Sequence, residues 1–224
     1  MNIFDEIAIY LPKYLSESSS EVLKAELKKF PTDGTKPSIY TTALEEKRIL
    51  FQGDGINLLK IVDMQKEEFK EVSAILLSNT CDMDLSNIRL FNTQICYAPI
   101  LDLEKYRKNL MLFLLNREKE KKELEEEEIQ AKVLEMVQTH IGDIKKQRIT
   151  QILFLPKGRG LSGDSLVFLD RIFNAGSQTI DRISLESRRL FPLSDYGLYL
   201  FLLKLSIHFT RIQERVDRLE GVIL

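Results

Sequence analysis

Two apolar runs, Ile56-Asn-Leu-Leu-Lys-Ile-Val-Asp-Met64 and Phe69-Lys-Glu-Val-Ser-Ala-Ile-Leu-Leu77, are joined by the polar turn Asp63-Met-Gln-Lys-Glu-Glu68. A third, Thr93-Gln-Ile-Cys-Tyr-Ala-Pro-Ile100, follows the polar stretch Asp82-Met-Asp-Leu-Ser-Asn87. Runs this short with connections this short favour antiparallel neighbours over crossover units, so a meandering sheet or small barrel is expected. Upstream, Arg48–Gln52 reads as a further strand and residues 31–47 as loop. Before them Ser18-Ser-Ser-Glu21 is a capping box opening a short helix that Pro31 stops. Downstream the period becomes helical. Leu103, Tyr106, Leu110 and Leu114 form one stripe and Leu134, Val137, Ile141 and Ile144 another, with the charged run Arg117–Glu128 between them. Residues 102–148 are thus expected to be a helical hairpin with a Glu-rich tip, supported by Glu/Lys pairs three and four apart. Strand-like runs return at Ile149–Leu155, Ser165–Ile172 and Gln178–Ser184, which makes the hairpin an insertion into a sheet. Residues 193–220 read as one long helix with Ser194 as N-cap. The organisation expected is one composite α+β domain over 1–224. It has an N-terminal helix and loop (1–47), sheet strands (48–101 and 149–184), the insertion (102–148) and a C-terminal helix (193–220).

The chain carries 32 Lys and Arg against 34 Asp and Glu, a formal net charge of −2, which argues against a wholesale polyanion binder. The distribution is uneven. Residues 1–101 hold 11 basic and 15 acidic side chains, 102–148 hold 11 and 11, and 149–224 hold 10 and 8. Arg is 2 of the 11 basic residues in the first segment and 8 of the 10 in the last, and Arg suits bidentate anion recognition or buried ion pairs. The N-terminus has acid where a signal peptide has base, and the most apolar run, Leu198–Phe209, is interrupted by Lys204 and His208, short of the roughly 20 residues of a membrane span. A cytoplasmic protein with no membrane contact is expected. Two cysteines and two histidines offer neither a disulfide framework nor zinc spacing, so no metal and no cofactor are expected.

Three places carry candidate chemistry. The loop Pro156–Gly163 contains Gly158-x-Gly160-x-x-Gly163, but the residues after it read as a strand where a dinucleotide fingerprint needs a helix. A glycine hairpin loop is expected, with Lys157 and Arg159 free to meet an anion. In Ser78-Asn-Thr-Cys-Asp82, Ser78, Cys81 and Asp82 are the catalytic candidates, with His208 or Asp82 as a base for the thiol. The alternative is a turn shaped by Asn79, Thr80 and Asp82, with Cys81 packed as a small hydrophobe and Cys96 in the core. On the last helix His208, Arg211, Arg215 and Arg218 fall along one side as an anion or RNA stripe, unless Glu214, Asp217 and Glu220 neutralise it. Tyr196, Tyr199 and Phe209 are expected to face the core.

Gln52-Gly53-Asp54-Gly-Ile-Asn-Leu, then Ala74-Ile-Leu-Leu-Ser78-Asn79-Thr-Cys81-Asp82, then Tyr97-Ala-Pro-Ile100 resembles the opening of the PemK/MazF-like small-barrel family over about 50 residues. The resemblance implies an SH3-like antiparallel β-barrel, here with a helical insertion and a long C-terminal helix. It also implies a toxin-antitoxin or phage-defence setting, a homodimer, and an endoribonuclease that cuts single-stranded RNA without a metal. Where family ribonucleases carry an Arg-Pro pair before the apolar strand, this chain has Val72-Ser73, which removes the arginine that would stabilise a phosphoryl transition state. The expectation is therefore a module binding protein or nucleic acid, with the endoribonuclease as alternative. Its partners would be RNA, or a protein met through the 102–148 insertion or the C-terminal helix.

Overall fold

A computed structural model describes residues 38–63, 66–87, 89–121 and 125–210. The expected N-terminal helix at 18–30 and the last part of the C-terminal helix lie outside the described residues. The three runs that open the sequence analysis form β1 (Gly55–Asp63), β2 (Glu68–Leu76) and β3 (Gln94–Asp102), an antiparallel meander. Between β2 and β3 sits α1 (Thr80–Met83). The insertion is two long helices, α2 (Leu103–Lys121) and α3 (Glu126–Lys145), as the apolar stripes require. Then come β4 (Ile152–Leu155), β5 (Ser165–Phe168), β6 (Phe173–Gly176), α4 (Leu185–Arg188), β7 (Arg189–Phe191) and α5 (Asp195–Thr210).

The seven strands make one antiparallel sheet in the order β4-β5-β3-β2-β1-β7, with β6 also on β3. β3 organises it. One edge takes β2, while the other takes β6 along Gln94–Tyr97 and β5 along Ile100–Asp102. That edge of β3 thus changes partner between Tyr97 and Ile100. Its path is open, short of the closed ladder of a barrel. Its two ends are linked by a backbone hydrogen bond from Gly160 in the β4–β5 loop to Leu190 of β7, at 2.9 Å.

Two of the expected strands do not form. Arg48–Gln52 is a loop, although Leu50 is buried, and Gln178–Ser184 is a 3₁₀ turn (Ser177–Thr179) and coil leading into α4. The strands present there instead, β6 and β7, have four and three residues, too short for a period-two pattern to register.

The core has layers that match the sequence stripes. Ile75, Ala98, Leu153, Val167 and Phe191 of the sheet pack against Tyr196, Tyr199, Leu200 and Phe201 of α5. Ile56, Leu76, Ile95 and Tyr97 pack with Met83, Ile180 and Leu185 on another face. The hairpin has its own seam of Leu114, Ile129, Val133 and Val137, and its base is seated by Leu103 and Ile144 against Ile152, Phe154 and Leu166. Leu134, assigned to that stripe, is 42% exposed. Tyr196 and Tyr199 face the core as expected, but Phe209 is 57% exposed because it falls past the end of the sheet-facing turns of α5. Ser194 caps α5, its hydroxyl accepting from Gly197 N at 3.0 Å.

Candidate functional site

Gly53 and Asp54 open β1. Gly53 has φ +86°, and a Cβ there would stand 2.5 Å from Leu193 Cδ1, so both conformation and space call for glycine. The carboxylate of Asp54 is fully buried. Its Oδ2 accepts from Phe51 N and from Arg189 Nε, each at 3.0 Å, while Oδ1 has no hydrogen-bond partner. Burial pushes this carboxyl up to about 6, against the opposing pull of Arg189. The rest of the Arg189 guanidinium donates to the carbonyls of Leu44, Glu45 and Lys47, at 2.9, 2.9 and 2.6 Å, and to that of Ile49. One buried ion pair thus straps the 44–51 loop to the sheet. Gly53 and Asp54 serve the architecture.

At the far end of β2, Ser78 Oγ accepts from Cys96 N at 2.8 Å, continuing the β2–β3 ladder with a side chain. Asn79 caps α1, its Oδ1 accepting from Cys81 N at 3.0 Å, and Thr80 Oγ1 accepts from Gln52 N at 3.0 Å. Asn87 Nδ2 donates to Cys81 O at 2.6 Å. Asp82 pairs with Arg89 at 2.6 Å, both side chains about half exposed. The three catalytic candidates share this corner, but Ser78 and Asp82 are turned to different partners. Cys81 is exposed, not packed as a small hydrophobe, because Met83 takes the buried position of the short helix. Cys96 is partly buried against the core. His208 is on α5, which packs against β4, and cannot serve as a base tied to α1. The corner is bordered by exposed apolar side chains: Leu85 at 63%, Leu90 at 91% and Phe91 at 79%.

The glycine loop runs into β5, which excludes the helix that a dinucleotide fingerprint needs. Gly160 passes so close to β7 that a Cβ would stand 2.8 Å from Leu190 Cα. Lys157 and Arg159 of the loop are both exposed. Arg159 pairs with Glu45 at 2.9 Å, and Lys157 N donates to Asp164 Oδ1 at 2.9 Å. Asp164 also takes Lys145 at 2.7 Å. Burial raises the Asp164 carboxyl, but the bonds from Lys145 and Lys157 outweigh it and hold it below its ordinary value. Of the proposed basic stripe, His208 is on α5 with its ring edge-on to Phe209, whereas Arg211, Arg215 and Arg218 lie outside the described residues.

The arginine enrichment of the last third has a different use. Arg182 donates to the carbonyls of Ser177, Ile180 and Met83, and Arg188 to those of Asn57 and Leu58. With Arg189, these side chains fix irregular backbone that no strand partner reaches. The roles of Arg89 and Arg189 are not legible in the sequence, their partners being 7 and 135 residues away; the change from Lys to Arg along the chain points to Arg189 alone. Among the described residues, no group of three His, Cys, Asp or Glu side chains could hold a metal ion, and no helix is long and apolar enough to cross a membrane. No family model matches the chain, and no curated protein matches it significantly.

Proposed function

We propose that the chain is a PemK/MazF-like, SH3-like barrel protein that acts as a binding module for a protein partner, in the cytoplasm, in a bacterial toxin-antitoxin or phage-defence setting. The observation that carries this reading is the corner at Ser78–Asp82. Its polar side chains hold backbone or one another, while Leu85, Leu90 and Phe91 beside it stand in water. Apolar side chains exposed close together in the chain suit association with another protein more than contact with a phosphate backbone. The barrel part rests on the change of partner along β3 and on the Gly160–Leu190 link between the sheet ends. The pairing of Arg159 with Glu45 also favours a protein over RNA.

One observation favours the alternative, a metal-independent endoribonuclease: Arg89 brings a guanidinium to the Ser78 corner, where the sequence lacks the family's arginine. Incubating the full chain with a mixed RNA pool in the presence of chelator separates the two. Intact RNA is the expected result. Cleavage that disappears in Ser78→Ala and Arg89→Gln would replace the binding module by the nuclease, and RNA retarded in a gel without cleavage would replace the protein partner by a nucleic acid.

A further inference from the structure

At the base of the hairpin, Tyr106 of α2 and His140 of α3 meet with 2.9 Å between Oη and Nε2. The Tyr106 ring stands edge-on to Phe168 at the end of β5, with centroids 5.7 Å apart. Arg171 lies over the same Phe168 ring at 4.7 Å and its charge is felt at the Tyr106 hydroxyl. This arginine differs from the others. Arg48, Arg107 and Arg148 pair with carboxylates, and the five arginines assigned above hold carboxylates or carbonyls. Arg117 and Arg171 have no such partner among the described residues, and of these two Arg171 alone is held against a ring. A guanidinium fixed by stacking keeps its outer N–H groups free and loses little freedom on binding.

We propose that Arg171, Tyr106 and His140 form a binding site for a tetrahedral oxyanion of the phosphate class, at the junction of the hairpin with the β4–β5 edge. Arg171 supplies the planar fork of donors. Burial lowers the pKa of His140 against the opposing charge of Asp143, so the imidazole is neutral and free to choose its tautomer. With the proton on Nε2, His140 donates to Tyr106 Oη and leaves the phenol O–H to donate to the anion as a third, out-of-plane donor. His140 is thus a positioning residue. Three donors that are not coplanar match a tetrahedral anion better than a flat carboxylate. Of the charges around the site, Asp143 is matched by Arg148 at 3.2 Å and Lys145 by Asp164, while the exposed Asp170 next to Arg171 in the chain is the carboxylate that works against an anion there.

The test is a titration of the full-length protein with inorganic phosphate, followed by nuclear magnetic resonance, with acetate as the planar control. Saturable shifts with phosphate and about tenfold weaker binding of acetate are expected. Arg171→Gln should weaken phosphate binding by about 10-fold or more and Tyr106→Phe by about 3- to 10-fold, as expected for lost hydrogen bonds to a charged ligand. Arg117→Gln should change nothing. The proposal is overturned if phosphate gives no saturable shift, if acetate binds equally well, or if Arg171→Gln binds like the wild type or loses no more than Arg117→Gln. Arg171 is exposed, so its variant keeps the test decisive even if Tyr106→Phe does not fold.

Discussion

Replacing Asp54 by asparagine isolates the electrostatics of the strap that holds the 44–51 loop. In the folded chain burial lifts the Asp54 carboxyl from 3.8 to about 6 despite Arg189. A group whose pKa rises on folding binds its proton more tightly in the native state, so stability falls as pH climbs from about 4 to about 6 and levels off beyond it. A rise of this size corresponds to about 3 kcal/mol between the ends of that window. Asparagine keeps an oxygen for Phe51 N and Arg189 Nε, and its amide falls where Oδ1 has no partner, a pH-independent loss of about 1–3 kcal/mol. Urea unfolding at half-unit steps from pH 4 to 7.5 should therefore show the Asp54→Asn variant gaining on the wild type as pH rises, by about 3 kcal/mol in all. Taking the difference between the two proteins cancels every other titrating group. A flat difference would mean that Arg189 cancels the burial, and a difference of opposite slope would mean that the pair is held ionised. Either result refutes the reasoning. Arg189→Met provides a second arm. It strands a buried carboxylate and the carbonyls of Leu44, Glu45, Lys47 and Ile49, and should cost about 3–5 kcal/mol at neutral pH.

Two further predictions concern the hairpin. Gly142 is inside α3, and a methyl group added to its Cα would meet nothing within 4 Å, so Gly142→Ala should raise stability by about 0.5–1 kcal/mol in thermal or urea melts; a loss would mean that the helix is not continuous there. Glu118 bridges Lys121 at 2.5 Å and Lys132 at 2.8 Å, and their hydrogen bonds pull its carboxyl down to about 2. A lowered carboxylate stabilises above its unfolded value and loses that contribution as pH falls through about 2, so Glu118→Gln should flatten the acid limb of the stability curve. An unchanged acid limb in that variant would show that the bridge does not hold the hairpin helices together.

The elements legible in the sequence are those whose stabilisation is local or periodic. The hairpin announces itself because Leu103, Leu114, Val137 and Ile144 recur at helical spacing and are buried, although Leu134 of the same stripe is exposed and the unassigned Val133 beside it is buried. β1, β2 and β3 are legible because each has nine residues, enough for a run to stand out between polar turns. Arg48–Gln52 and Gln178–Ser184 depart from the strands expected of them for a common reason. Each has apolar residues that reach the core, Leu50 in one and Ile180 in the other, but their carbonyls go to arginine side chains instead of a neighbouring strand. That choice is made by Arg189 and Arg182, and no local pattern carries it. The candidate site divides in the same way. Asn79 as a cap follows from the residues beside it, whereas the Tyr106–His140 contact joins positions 34 residues apart and depends on how the hairpin closes.

The near-neutral net charge acquires a physical meaning from these pairings. Among the described residues of the last third, Arg182, Arg188 and Arg189 are engaged by backbone carbonyls and the buried carboxylate of Asp54, because the sheet is built from short strands whose ends leave many carbonyls without a ladder partner. Lysine could not replace it: a single ammonium has three donors on one atom, whereas Arg189 reaches Asp54 through Nε, the carbonyls of Leu44, Glu45 and Lys47 through Nη1 and that of Ile49 through Nη2. A guanidinium left over from that work stands out against the others. Arg171 is such a residue, stacked on Phe168 beside a tyrosine–histidine pair, while Arg89 at the Ser78 corner shares its guanidinium with Asp82. Arg171→Gln and Arg89→Gln are therefore the variants that divide a phosphate site at the hairpin base from a nuclease at the strand end.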